Sequence, residues 1–162
     1  MGFVAMNISG INLNSPVEGK TVSIERLGFN HVLYIFYMNA AFVFSMILLS
    51  ITGLHFVMIF KVLTLIGQGP SLSGIESSTY YLSSFIHGFF ELLLCYIVLK
   101  FSIMQFKLVY ENISEKKDKI SIKQFYKNFI KKTCPLILII LFISAMCEVY
   151  ISNPLIIKLT SV

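Results

Sequence analysis

The sequence predicts an all-α integral membrane protein. It is expected to be a bundle of about three long transmembrane helices with an amphipathic helix on the cytoplasmic side. Two observations carry this. Of 162 residues, 56% are hydrophobic and only 13% charged, where a soluble domain of this size has about a quarter charged. The mean hydropathy is +0.80, and the apolar residues fall in long runs rather than in short amphipathic stretches.

Three apolar blocks set the elements. The block from Phe29 to Phe60 holds no Asp, Glu, Lys or Arg. That from Thr79 to Leu99 holds one charge, Glu91, and that from Thr133 to Ile157 holds one, Glu148. A crossing takes roughly 20 residues, so the second and third blocks read as one helix each, over about 79–101 and 133–153. The first is longer than one crossing needs and too short for two. It reads as one long helix, with an interfacial start at His31–Tyr37 and a span over about 38–60. A fourth or re-entrant piece is the alternative. Residues 1–28 mix Gly, Asn, Ser and Pro with isolated apolar residues and form a polar N-terminal segment ahead of a transmembrane domain, 29–162. No basic stretch precedes a hydrophobic core there, so the segment is no ordinary signal peptide.

The charge is concentrated. Residues 107–132 hold eight lysines against three acids, which accounts for the whole net charge of +5. The positive-inside rule puts this loop in the cytoplasm. With three crossings the N-terminus is then inside, the C-terminus outside, and the Gly- and Pro-bearing connection Lys61–Ser78 outside. The basic pI therefore signals topology, not nucleic acid. Within the loop Ile120, Ile122, Phe125, Phe129 and Ile130 recur among lysines at near-helical spacing. This reads as an amphipathic helix on the inner membrane surface, held by anionic lipid or offered to a cytoplasmic partner.

Several chemistries are excluded by pattern: there is no GxxxxGK[ST], no HExxH and no GxSxG. Cys95, Cys134 and Cys147 form no CxxC pair and read as small apolar fillers. No cofactor is implied. A zinc site from His55, His87, Glu91 and Glu148 is conceivable, but no ligand spacing demands one.

The polar residues inside the apolar blocks are the candidates for function. An ionised side chain at the bilayer centre costs about 2.5–3.5 kcal/mol on insertion scales, so such residues face protein or a wet cavity. Residues four apart share a helix face. Ser84, His87, Glu91 and Cys95 thus form one polar stripe, with Gly88 expected to allow close approach of a neighbour. Ser144, Glu148 and Ser152 form another. Their heights let His87, Glu91 and Glu148 meet in the outer half of the bilayer. His55, near the outer end of a continuous first helix, could join them. Asn39, near its inner end, is a poorer candidate.

The stretch HGFFE, with YMNAAFVF and LIGQG before it and SAMCEVYISNP after it, resembles the stage II sporulation protein M (SpoIIM) family over roughly Asn39 to Pro154. The matched positions are His87, Gly88, Glu91 and Glu148. The chain is shorter than many relatives and its lysine-rich second half follows the pattern thinly. The resemblance implies a multi-pass protein of a bacterial cytoplasmic membrane. Sporulation members belong to a complex that remodels the cell wall. Small relatives accompany an ABC-type ATPase in gene clusters for circular bacteriocins, where they are needed to mature or export the peptide; the short, Lys-, Ile- and Phe-rich chain suits this second setting.

Three roles compete. One is a glutamate-type intramembrane peptidase or cyclase, with Glu91 or Glu148 as general base and His87 stabilising the oxyanion. Another is a scaffold or transport subunit in which the same residues only hold helices together, at roughly 0.6–2 kcal/mol per contact. The third is an immunity protein. The expected partners are a hydrophobic peptide, other membrane subunits or further copies of the chain, and a cytoplasmic ATPase.

Overall fold

A computed structural model describes residues 26–73, 75–113 and 122–160. Most of the polar 1–28 segment and the centre of the lysine loop lie outside them. All regular structure among the described residues is helical. Helix α1 spans Phe29–Leu49, α2 Leu54–Ser73, α3 Ser77–Ile113, α4 Ile122–Asn128, α5 Cys134–Cys147 and α6 Asn153–Thr160. A tight helical turn, Ser50–Thr52, follows α1, and wide π-type turns at Phe129–Thr133 and Glu148–Ser152 join the last three helices into one rod. Three stretches are long and apolar enough to cross a membrane: Phe29–Thr52, Ser77–Ile113 and Ile122–Thr160.

The first block is not one helix. The chain breaks at Gly53, whose φ of 79° lies in the left-handed region that favours glycine. The preceding residues prepare the stop. The Ser50 hydroxyl donates to the carbonyl of Ile47 at 2.6 Å and the Thr52 hydroxyl to that of Leu49 at 2.8 Å, which occupies carbonyls left over at a helix end. After Gly53 the chain returns as α2. The connection expected at Lys61–Ser78 is therefore helical as far as Ser73, with Gly67, Gly69 and Pro70 inside the helix.

Cross-helix contacts fix the directions. Val32 and Ile35 of α1 cluster with Ala145 and Val149, while Val43 and Met46 meet Ile137 and Leu141, so α1 and α5 are antiparallel. The Tyr81 hydroxyl of α3 donates to the Gly67 carbonyl of α2 at 3.2 Å. The Ser50 hydroxyl, its proton shared with the Ile47 carbonyl, lies 2.5 Å from Gln105 Oε1, and Gln105 Nε2 donates to the Tyr126 hydroxyl at 2.5 Å. Helices α1, α2 and α3 and the last rod thus alternate in direction.

Two further expectations are corrected. The Leu27 N–H donates to Asn153 Oδ1 at 3.1 Å, so entry to α1 lies beside the end of the last span, with α4 and its lysines at the other end. A cytoplasmic lysine loop is then incompatible with an N-terminus inside. Of the face expected on α4, Phe125 and, just after the helix, Phe129 pack on α3, with the Phe101 ring 5.4 Å and 4.4 Å away, while Ile122 and Ile130 stay exposed. Exposed aromatic faces find a protein surface because α3, at 37 residues, runs about 55 Å and outlasts the bilayer.

The wide turns have a cause in sequence. Pro135 and Pro154 each follow one. A proline ring clashes with the carbonyl four residues back, here Lys131 and Tyr150, and both lie within the widened segments. The third span, expected over about 133–153, runs on through Asn153-Pro154: the helix continues to Thr160.

Candidate functional site

The polar stripes of α3 and of the last rod do meet. His87 is buried, and its Nδ1 lies 2.8 Å from the Ser152 hydroxyl. Ser144, Glu148 and Ser152 are all buried at 1–2% exposure on the inward face of α5 and the turn after it. Ser83 is also buried, but its hydroxyl is committed to its own helix, donating to the Thr79 carbonyl at 2.8 Å.

Glu91 stands differently. It is half-buried and lines a cavity of about 240 Å³ between α2 and α3. Val62 and Ile66 form the α2 wall, while Tyr80, Ser84, His87 and Gly88 continue the α3 wall. Phe85 and Phe89 border it and are exposed on the outside of the molecule, so the cavity opens sideways between helices. At about 30 Å³ per water, it has room for one large side chain and a few waters. A smaller space of about 30 Å³ lies on the other side of Glu91, bounded by Asn39, Val62, Cys95 and Leu141. Glu91 thus lines both spaces. Tyr80 lies within electrostatic range of both Glu91 and Glu148, and His87 within range of Glu91.

The candidates sort accordingly. His87, Glu91 and Glu148 share one end of the molecule, as their spacing predicts. Asn39, expected elsewhere, joins Glu91, because the break at Gly53 makes it the middle of α1 and not its inner end. His55 does not join: it is buried just after the turn, at the level where Ser50 bonds Gln105. Gln105 is 18 residues beyond His87 on α3, about 27 Å away along the axis. Without His55 the imagined zinc set has no fourth member, and among the described residues no three His, Cys, Asp or Glu side chains are grouped as metal ligands. Gly88 does not serve close approach either. A Cβ there would meet nothing within 4 Å, because the position faces the cavity. The close approach is at Gly69, where a Cβ would fall on the Tyr80 ring.

Sequence reasoning missed Tyr80 and undervalued Ser152. Tyr80 opens α3 in an ordinary-looking TYY, and only the fit of its ring against Gly69 singles it out. Ser152 was one member of a stripe, yet it is the residue that holds His87.

Chemically, the arrangement offers a carboxylate and an imidazole on one wall of a laterally open apolar cavity, with a tyrosine above and an asparagine behind. Comparison with protein-family models, with curated proteins and with solved structures returns no match.

Proposed function

We propose that the protein matures or exports a small hydrophobic peptide, of the circular-bacteriocin kind, from within a bacterial cytoplasmic membrane. The observation that carries the reading is the cavity: it holds His87 and Glu91 in its wall and opens between α2 and α3 past the exposed rings of Phe85 and Phe89. A hydrophobic peptide dissolved in lipid reaches such a mouth without crossing water. Ionisable residues at membrane depth are functional by default, and these two face the space a substrate would use.

On this reading Glu91 is the general base. It takes a proton from water, the oxygen attacks the peptide carbonyl, and His87 stabilises the oxyanion; the amine then leaves with a proton. If a peptide α-amine attacks in place of water, the same steps close a ring, and a water-poor cavity favours the amine. Ser152 positions His87 from the last rod. The lysine-bearing end, with exposed Lys123, Lys127, Lys131 and Lys132, faces the cytoplasm and receives an ABC-type ATPase that supplies the energy of export. Helix α2 then makes a fourth pass, and both chain ends lie outside. The resemblance to the sporulation protein M family, through HGFFE and Glu148, supports the same assignment.

A second reading has its own observation. The 2.8 Å bond from His87 to Ser152 ties two helices, which suits a scaffold or transport subunit without chemistry. Expression of a bacteriocin precursor and its partner genes, varying only this gene, separates the two. With Glu91→Gln, linear uncleaved precursor in the mass spectrum is the outcome expected of a base. Mature ring retained in the cell means transport alone. Normal secreted ring after deletion of this gene refutes both.

A further inference from the structure

Helix α3 carries a second pattern on the side away from the core. Starting at Leu82, alternating steps of three and four residues land on nine further large apolar residues in succession, ending at Ile113. Nine of the ten are 44–75% exposed, and the tenth, Leu99, is half-buried. The buried positions of α3, His87, Leu94, Val98, Phe101, Gln105 and Leu108, follow the opposite face. A spacing of 3.5 held over more than four heptads is the signature of a left-handed two-helix seam.

Lipid alone does not explain it. Contact with lipid accounts for an apolar face at roughly the helical period within the bilayer, but it asks for nothing outside. The seam continues past the inner end of α1, marked by the bond from Ser50 to Gln105. Phe106, Tyr110 and Ile113 lie beyond that level, Ile113 by about 12 Å. Lys107 stands beside them with its side chain 73% exposed and 3.8 Å from Glu111, a charged pair whose place is in water rather than in lipid. Helix α4 covers the other face, through Phe101 and Gln105, and leaves these residues bare.

We propose that two copies of this chain pair in parallel along this face of α3, from Leu82 to Ile113. The occupant has to match the seam over about 46 Å, through lipid and then through water. A two-fold axis along the membrane normal supplies that match from the chain itself, each seam residue facing its own counterpart. No charged residue lies on the seam to oppose the pairing. The five aromatic positions alone, at roughly 200 Å² per side chain, leave about 600 Å² outside the molecule. The aliphatic positions bring this toward the ~800 Å² per partner of a standard interface. Phe85, Phe89 and Leu92 also wall the cavity, so in the pair the second copy replaces lipid on that side of the mouth and entry is left on the α2 side, past Leu65 and Ile66.

The test uses the full chain in native membranes, with Cys95, Cys134 and Cys147 replaced by alanine and one cysteine restored at a time. Oxidation of Ile103→Cys, Phe106→Cys, Tyr110→Cys and Ile113→Cys is expected to give about tenfold more disulfide-linked dimer than Met104→Cys or Glu111→Cys, since a disulfide needs Cβ atoms near 4 Å. Adding Tyr110→Glu and Ile113→Glu, both outside the lipid, to the Phe106→Cys protein is expected to lower that dimer about tenfold, with like charges meeting in the seam. A flat profile across the six positions, bands joining the chain to a different protein, or dimer unchanged by the two glutamates would each overturn the proposal. No peptide enters the assay, so its result is separate from that of the precursor experiment.

Discussion

Ser152→Ala is the sharpest probe of the polar centre. The Ser152 hydroxyl and His87 Nδ1 are 2.8 Å apart, and both residues are buried. Removing the hydroxyl deletes the bond and strands a ring nitrogen. In a soluble core an unsatisfied buried group costs about 1–3 kcal/mol. Two effects lower that here. Helix-to-helix bonds in membranes average about 0.6 kcal/mol with a maximum near 1.7, because helices apart in lipid find other partners. His87 also lines the 240 Å³ cavity, where a water can replace the lost hydroxyl. The expected loss is therefore about 1 kcal/mol, with Ser152→Thr, which keeps a hydroxyl, closer to the parent. The assay is reversible unfolding in bicelles, run as a double-mutant cycle with His87→Leu. Independent sites add to within about 0.3–0.5 kcal/mol, so a coupling below that range would refute the claim that this bond ties α3 to the last rod.

Other outcomes follow from the backbone and the ends. Gly53→Ala forces a Cβ into a left-handed conformation with no neighbour to clash with, so a pure backbone cost of about 1–2 kcal/mol is expected in the same assay. Gly69→Ala drives a Cβ onto Tyr80 and should cost about 1–3 kcal/mol, whereas Gly88→Ala meets open space and should gain up to about 1 kcal/mol from helix propensity; equal effects would remove the distinction between a packed and an open glycine. Reporters placed before Leu27 and after Val162 should read the same compartment, and one within 114–121 the opposite one. Different readings for the two ends would break the fourth pass.

The sequence made the class and three spanning stretches legible, since long runs without charge have only one solvent that suits them. It also showed the two polar stripes, because a carboxylate every fourth residue from Ser and His is rare in apolar helices. It hid the turn at Gly53. The residues SITG carry no charge and no proline, and Ser50 and Thr52 satisfy the helix end with their own hydroxyls, so nothing polar needs to show. That single omission displaced His55 and Asn39 to the wrong ends and set the entry to α1 and the end of the last span on opposite sides. The opposite error came at Gly67–Pro70, where loop-forming residues sit inside α2. In lipid, backbone groups that leave a helix find no water, so glycine and proline are kept in helices that they would break in solution.

The two glutamates are not equivalent, and the reason is the pitch of the helix. At 3.6 residues per turn, a stripe spaced by four drifts by about 40° at each step. On α3 the drift is uncorrected: Ser83 and His87 face inward, with His87 meeting Ser152, but Glu91 one turn later has rotated toward α2 and the cavity. On the last rod the wide turn at Glu148–Ser152, placed by Pro154, holds the stripe back. Ser144, Glu148, Ser152 and Ile156 consequently stay in one buried column, each no more than 2% exposed. Proline therefore decides which carboxylate reaches the cavity. Glu148 is enclosed one turn before Ser152, within electrostatic range of Tyr80, and lines neither space beside Glu91. Glu91 lies on the wall of the open cavity, where a carbonyl entering from the lipid would come within reach. If one carboxylate serves as a base, it is Glu91. The structural part belongs to Glu148, so Gln in its place should shift stability more than chemistry.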